Sequence, residues 1–367
     1  FSEEVVHIQF TIACYDSCAN RFKEEGYPDM TYEPQTAPKD REWAVEARGL
    51  VKSFGTHRAV NGLDLHVQAG TVYGVLGPNG AGKTTTIRML ATLLRPDAGF
   101  AKIFGYDVVK EPQRVRQLIG VTGQYASVDE SLNAVENLMI FSRLLGLSRK
   151  EARRKTDELL EEFGLTEAAK RPLKHFSGGM RRRLDLAASL IARPPLLFLD
   201  EPTTGLDPRT RNQMWETIRR LVKTGTTVLL TTQYLQEADE LADRIAVIDH
   251  GRVVAEGTPD ELKTSVGRSS LQIKLRHPGE IETARRIIER VLRVPSTVSP
   301  ETGNITAPMA DASQVTDLLV ALRREEIRLT EISVQKPTLD EVFLAITGRE
   351  AGKSAGEFDD AREERMG

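Results

Sequence analysis

The sequence contains too little cysteine for a disulfide-stabilised fold. Only two of its 367 residues are cysteines, Cys14 and Cys18, and they cannot build a disulfide framework. Their spacing could supply half of a metal site. However, no second pair of cysteines or histidines lies nearby at ligand spacing, so we do not expect a zinc centre.

Long apolar runs and an excess of one charge are also missing. No stretch approaches the roughly 18 to 20 apolar residues needed to cross a bilayer, so a role at a membrane would require a separate partner chain. The formal net charge of −3 argues against a nucleic-acid binder that works by bulk electrostatics, and direct nucleic-acid binding is not expected. With 40% hydrophobic residues, the chain can still form a substantial core.

The chain is organised around an apolar run that leads into a glycine-rich loop. Residues 71–76 predict a strand, and a G-x-x-x-x-G-K-T pattern follows it. The candidate nucleotide-binding residues of this loop are Gly77, Pro78, Asn79, Gly80, Ala81, Gly82, Lys83, Thr84 and Thr85. Its glycines allow backbone N–H groups to turn toward a triphosphate, which a Cβ would obstruct. Lys83 adds a cation for the β- and γ-phosphates, and Thr84 offers a hydroxyl to Mg²⁺. Residues 85–94 then predict a helix whose positive end faces the anion.

Two adjacent carboxylates end a second apolar strand, which we expect at residues 195–199. Ligands of parallel α/β sheets bind at the carboxyl ends of the strands, so Asp200 and Glu201 should lie beside the phosphate loop. We expect Asp200 to hold Mg²⁺, directly or through water, and Glu201 to act as the base for the attacking water. Gln124 and Gln233 also follow predicted strands and should reach the same edge, where Gln124 could contact Mg²⁺ through its amide oxygen.

Two further features have more than one interpretation. Phe54 ends a predicted strand near the phosphate loop, where it could stack on a purine or serve in ordinary strand packing. Ser177, Gly178 and Gly179 precede a predicted helix at residues 181–192. They could form a second anion site, although taken alone they favour a simple capped helix.

The composition divides the chain into segments. Mixed charges and prolines give no sustained period at the start, and the character of the sequence changes again near residue 267. We expect an extension of unknown role with little fixed structure (1–42), an α/β cassette (43–265) with a helical insert (about 125–190), an α+β module (268–348) and a charged, disordered tail (349–367). Capping boxes are predicted at Ser148 with Glu151 and at Thr338 with Glu341.

Taken in order, these motifs resemble the ATP-binding subunit of an ATP-binding cassette (ABC) transporter, over about residues 44–265. The corresponding motifs are Walker A (77–84), the Q-loop (Gln124), the signature (176–180), Walker B (196–201), the D-loop (205–207) and the switch (Gln233). The resemblance implies a P-loop NTPase cassette that has a mixed sheet, an antiparallel β-subdomain and a helical insert, followed by a small C-terminal α+β domain.

The same resemblance implies an activity and partners. The expected protein is an ATPase that uses ATP and Mg²⁺ and forms a head-to-tail homodimer. In that dimer Ser177, Gly178, Gly179 and Asp207 act across the interface. A separate transmembrane permease would hold the dimer at the cytoplasmic face of the cell membrane. Residues 338–343 and 231–235 look most like those of daunorubicin-resistance exporters, which implies export of a drug-like or lipid substrate.

The sequence departs from the usual family pattern at three positions. Phe176 and Met180 replace the Leu and Gln that commonly flank the signature, and Gln233 stands where the switch commonly has His. Ser177 and both glycines are intact, so the flanking changes leave the signature usable. Gln233 leaves the catalytic rate open.

The main alternative is a soluble ABC ATPase that acts on nucleic acid or ribosomes. Such proteins tend to carry two cassettes, long coiled-coil inserts or zinc modules, whereas this sequence predicts one cassette with a compact insert. A small P-loop kinase or GTPase is disfavoured, because the sequence has no Asn-Lys-x-Asp motif and such an enzyme needs no Ser177-Gly-Gly segment.

Overall fold

A computed structural model describes residues 42–123, 128–266, 269–299, 304–309, 314–335 and 337–348. Gln124, both cysteines, residues 1–41 and the charged tail lie outside these ranges. The strands are β1 (Trp43–Phe54), β2 (His57–Gln68), β3 (Val72–Leu76), β4 (Ala98–Ile103), β5 (Tyr106–Asp107), β6 (Ile119–Thr122), β7 (Leu196–Asp200), β8 (Thr227–Thr232), β9 (Arg244–Asp249), β10 (Arg252–Gly257), β11 (Ser270–Leu275), β12 (Thr297–Val298), β13 (Ile305–Pro308) and β14 (Leu329–Gln335). The helices are α1 (Lys83–Leu90), α2 (Pro112–Leu118), α3 (Ala134–Leu144), α4 (Arg149–Glu162), α5 (Gly178–Ser189), α6 (Pro208–Lys223), α7 (Leu235–Leu241), α8 (Pro259–Val266), α9 (Ile281–Leu292), α10 (Gln314–Arg324) and α11 (Leu339–Thr347).

A six-stranded mixed sheet forms the centre of the first compact unit. Its strand order is β10-β9-β3-β8-β7-β6, and all neighbouring strands are parallel except for the antiparallel edge pair β9 and β10. Every residue of β3, β7 and β8 is buried, as expected for parallel strands covered on both faces. In the register, Leu76 lies opposite Thr232 and Asp200 opposite Thr231, so these three strands end at one edge.

An antiparallel sheet of order β2-β1-β4-β5 belongs to the same unit. Leu50 and Leu65 from this sheet share one hydrophobic cluster with Val75 and Phe198 from the mixed sheet. Burial of these apolar side chains is the main favourable term that holds the two sheets together. The predicted cassette, with a mixed sheet and an antiparallel β-subdomain, is confirmed.

The three helices α3, α4 and α5 lie between β6 and β7, where the sequence predicts a helical insert. The capping box predicted for α4 is present: Ser148 N donates to Glu151 Oε2 at 2.9 Å, and Glu151 N donates to Ser148 Oγ at 3.3 Å. The predicted limits of α1 are wrong, because the helix already begins at Lys83 and ends at Leu90. Thr92 then adopts a left-handed conformation with φ 64°, which a helix cannot continue through.

The second compact unit begins at Pro259 and has its own core. Its sheet has the order β12-β13-β11-β14, and apolar residues of α9 and α10 share a core with it. This arrangement confirms the small α+β domain. The division lies between Thr258 and Pro259, earlier than the expected cassette end at residue 265, because α8 packs against α11 in the second unit.

Candidate nucleotide and catalytic site

The phosphate loop follows β3, and its glycines are required by close backbone packing. A Cβ on Gly77 would stand 2.3 Å from Ile248 O, and a Cβ on Gly82 would stand 2.4 Å from Ala59 O. Gly82 also has φ 105°, which L side chains rarely adopt. The loop is therefore fixed between β9 and β2, with its turn leading directly into α1.

Lys83 lies inside the loop and is almost fully buried. Its Nζ donates to Gly77 O at 2.8 Å and to Pro78 O at 3.1 Å, and it lies 3.7 Å from Glu201 Oε1. Burial lowers the pKa of the Lys83 ammonium, while the negative charges of Glu201 and Asp200 oppose that shift. The structure thus brings the predicted phosphate-binding cation and the predicted base together.

Asp200 accepts hydrogen bonds from two hydroxyl groups at the edge of the sheet. Thr84 Oγ1 donates to Asp200 Oδ1 at 3.2 Å, and Thr231 Oγ1 donates to the same oxygen at 2.5 Å. Thr84 at the start of α1 and Asp200 at the end of β7 therefore lie within hydrogen-bond distance, as the sequence predicts. Thr231 was missed by sequence reasoning, because β8 contains three threonines and only the register opposite Asp200 distinguishes this one.

Glu201 has an unusual backbone conformation for a residue with a Cβ. Its φ is 49°, in the left-handed region, and its N–H donates to Thr231 O at 3.1 Å and Thr231 Oγ1 at 3.2 Å. Thr204 Oγ1 donates to Glu201 Oε2 at 3.3 Å. Such conformations persist only where the surroundings hold them, and they are common at functional sites.

Gln233 and Phe54, two other predicted site residues, lie at strand ends. Gln233 directly follows β8, next to the ends of β3 and β7, and is half-buried. Phe54 ends β1 and lies opposite His57 in β2. Two residues after His57, the Ala59 carbonyl packs closely against Gly82 of the phosphate loop. The Phe54 side chain is 52% exposed, so core packing does not explain it. Lys52 Nζ lies 5.9 Å from the centroid of its ring. Gln124 lies outside the described residues.

Ser177, Gly178 and Asp207 form a second, outward-facing group. All three are exposed, and Ser177 caps α5 by accepting from Met180 N at 3.3 Å. Asp207 caps α6 and accepts from Thr210 Oγ1 at 2.6 Å and from Thr210 N at 3.1 Å, which lowers the pKa of its carboxyl group. Gly179 is buried against Thr210, so the starts of α5 and α6 lie together.

The oxygen atoms at the sheet edge suit a hydrated hard cation. Among the residues that the structure describes, no group of three or more His, Cys, Asp or Glu side chains could enclose a metal. Mg²⁺ is commonly held by one or two protein oxygens together with substrate phosphates, and Thr84 with Asp200 matches that requirement. Within the described ranges, no helix has the length and apolar character needed to span a membrane.

Comparison with known proteins identifies both parts of the chain. Residues 60–204 match a family model described as ABC transporter, and residues 257–347 match the C-terminal domain of DrrA1-3-like ATP-binding proteins. The daunorubicin/doxorubicin resistance ATP-binding protein DrrA of Streptomyces peucetius is 55% identical over 88% of this chain and 98% of its own length. A doxorubicin resistance ATP-binding protein of Mycobacterium tuberculosis is 45% identical over 84% of this chain and 95% of its own length.

Solved structures agree with this assignment. The ATP-binding subunit of an ABC transporter superposes with a TM-score of 0.55 at 29% identity, covering 60% of this chain and 92% of that subunit. The sequence likeness to the resistance proteins extends over both compact units. The chain belongs to the ABC transporter ATPases, in the group of the daunorubicin-resistance ATP-binding proteins.

Proposed function

We propose that this chain is the ATP-hydrolysing subunit of an exporter, that it dimerises on ATP, and that it drives a drug-like or lipid substrate through a separate membrane subunit. The observation that carries the proposal is the convergence of Lys83, Glu201, Asp200 and Thr84 at one edge of the mixed sheet. A buried cation and an adjacent carboxylate at the mouth of a phosphate loop suit phosphoryl transfer to water.

Each residue has a distinct task in this proposal. The loop N–H groups and Lys83 bind the phosphates of ATP, and the Glu201 carboxylate accepts a proton from the attacking water. Thr84, Asp200 and Gln124 would hold Mg²⁺, which supplies charge neutralisation at the phosphate oxygens when bound. Gln233 donates its amide N–H to the γ-phosphate, and Phe54 stacks on the base.

Dimerisation would complete the site with residues from a second copy. Ser177 and Gly178 present an exposed helix start, whose free N–H groups and positive dipole end favour a phosphate. Gly179 and Asp207 hold that helix start against α6. A head-to-tail homodimer would place this start against the γ-phosphate bound by the other copy, and ATP would then lie between the two copies.

The cargo and the location are inferred from the relatives. The Streptomyces peucetius and Mycobacterium tuberculosis proteins are named for resistance to daunorubicin or doxorubicin, and a Rhizobium relative at 41% identity is named for Nod factor export. These names favour amphipathic cargo with an apolar part. The chain would act at the cytoplasmic face of the cell membrane, bound to its permease.

The central experiment uses Glu201→Gln, which removes the base and keeps Asp200 and Lys83. General-base loss should slow hydrolysis by about 10²–10⁴-fold, and the variant should elute as a dimer in ATP and Mg²⁺. Lys83→Ala is the matched control, because it should lose nucleotide binding and remain monomeric under the same conditions. A Glu201→Gln protein that hydrolyses ATP normally and stays monomeric would refute the site and the dimer together.

Export requires a cell-based measurement. Cells that express the chain with its permease should accumulate less daunorubicin, measured by its fluorescence, than cells that express the permease with Glu201→Gln. Equal accumulation in the two strains, with both proteins present in the membrane fraction, would contradict daunorubicin export.

A further inference from the structure

Three consecutive arginines occupy the first half of α5, and they point to different surroundings. Arg181 pairs with Glu130 at the surface, with 2.5 Å between Nη1 and Oε1. Arg183 donates from Nη1 to Phe163 O at 3.0 Å, within the helical insert. Arg182 instead reaches the edge of the mixed sheet, beneath the catalytic carboxylates.

The Arg182 guanidinium donates to four backbone carbonyls through all three of its nitrogens. Nη2 donates to Asp200 O at 2.8 Å and Glu201 O at 3.0 Å, and Nε donates to Pro202 O at 3.1 Å. Nη1 donates to Gly123 O, the last described residue after β6. One side chain thus joins α5 to the ends of β6 and β7.

These contacts bear directly on Glu201, because the carbonyls of residues 200 and 201 belong to the two peptide groups that flank its α-carbon. Glu201 is held at φ 49°, a conformation that is unfavourable for a residue with a Cβ. Arg182 fixes the carbonyl before and after this residue, while Thr231 accepts from its N–H. The direction of the Glu201 side chain follows from these peptide orientations.

We propose that Arg182 is a positioning residue that orients Glu201 and links the rate of hydrolysis to the placement of α5. The inference rests on the proposed function, in which Glu201 is the base. A guanidinium presents five N–H donors in a fixed planar fork, which a lysine ammonium cannot reproduce although it carries the same charge. The informative substitution therefore removes the planar arrangement of N–H donors and keeps the positive charge.

The test begins with Arg182→Lys and two matched controls, Arg181→Lys and Arg183→Lys, which make the same exchange at the two adjacent positions. A misplacement of about 1 Å can cost about 10²-fold in rate, so Arg182→Lys should lower kcat by about 10- to 100-fold. Its Kd for ATP should stay within about threefold of wild type, because no phosphate-binding group has changed. Both controls should keep kcat within about twofold, since surface and peripheral contacts contribute little.

A double-mutant cycle with Glu201→Gln then separates positioning from other roles. If Arg182 acts through Glu201, Arg182→Lys should lower the residual rate of the Glu201→Gln protein by less than about threefold. If Arg182→Lys lowers the rate of the Glu201→Gln protein by the same factor as it lowers the wild-type rate, the inference is overturned and the proposed function stays intact. Normal hydrolysis by Glu201→Gln alone would instead refute the proposed function.

Folding is monitored by circular dichroism and thermal unfolding for every variant. If Arg182→Lys does not fold, Arg182→Gln, which keeps a planar donor group, replaces it in the same cycle. Failure of both variants to fold would assign Arg182 to stability and overturn the positioning role. A reduced kcat with an unchanged Kd and no further loss beside Glu201→Gln is the result expected.

Discussion

Gly178 and Gly179 are adjacent in sequence, yet an added methyl group should affect them in opposite ways. A Cβ on Gly179 would stand 2.3 Å from Thr210 Cγ2, whereas a Cβ on Gly178 would meet no described atom within 4 Å. Thr210 cannot simply rotate away, because its Oγ1 donates to Asp207 Oδ2 at 2.6 Å. Gly179→Ala should therefore separate the starts of α5 and α6, and Gly178→Ala should leave them in place.

The size of the effect follows from this contact. Overpacking a close contact costs about 1–3 kcal/mol, and alanine recovers up to about 1 kcal/mol of helix propensity relative to glycine. Taking the middle of the overpacking range, the net loss for Gly179→Ala is about 1 kcal/mol, which corresponds to about 2–4 °C in Tm for a domain of this size. Gly178→Ala should have an unchanged or slightly higher Tm.

Scanning calorimetry of the two variants and wild type measures this difference. A rescue variant tests the contact directly. Thr210→Ser removes the clashing Cγ2 and keeps the hydroxyl that donates a hydrogen bond to Asp207. The double variant Gly179→Ala with Thr210→Ser should regain most of the lost Tm. Equal Tm values for Gly178→Ala and Gly179→Ala, or no rescue by Thr210→Ser, would refute the packing argument.

Two other positions give separate expectations. Gln233→Ala should lower kcat by about 10²-fold with little change in Kd for ATP, because one positioned donor is lost, and equal rates at saturating ATP would show that the position is idle. The depressed pKa of Asp207, which is due first to the Thr210 hydroxyl, should stabilise the fold above the unfolded-state pKa of about 3.9 and lose that effect as the pH falls further. Asp207→Asn keeps the cap without titrating, so the Tm difference between wild type and this variant should shrink below about pH 4. A difference that stays constant from pH 7 to pH 3 would contradict this assignment.

The sequence was sufficient to place Lys83, Asp200 and Glu201 at one edge of the mixed sheet, because few structures satisfy its local pattern. An apolar strand followed by G-x-x-x-x-G-K-T can place Lys83 only at the end of a strand and the start of a helix. A buried run that ends in Asp200 and Glu201 must place them at the same edge of a parallel sheet. The capping box at Ser148 was equally local, since it depends on two residues three positions apart.

Other features depend on tertiary packing and leave no local signal. Thr231 is a common residue for a strand, and only the register of β8 against β7 brings its hydroxyl to Asp200. Arg182 is one of three identical neighbours, and the direction of each depends on what surrounds α5. The assignment of α8 to the second compact unit leaves no local signal either, because the residues that start this helix do not determine which helix it packs against.

The packing of α8 on α11 brings together the first and last helices of the second unit. Its first helix and its last helix lie side by side, with Leu262, Val342 and Phe343 buried on them. The chain thus enters and leaves this unit through two helices that are in contact, and domains whose ends lie close together tolerate insertion or circular permutation. A truncation after Val266 would keep α8 but remove α11, against which it packs, and would expose Leu262 to water. A truncation after Thr258 would remove the entire second unit, so the boundary suited to truncation lies before Pro259.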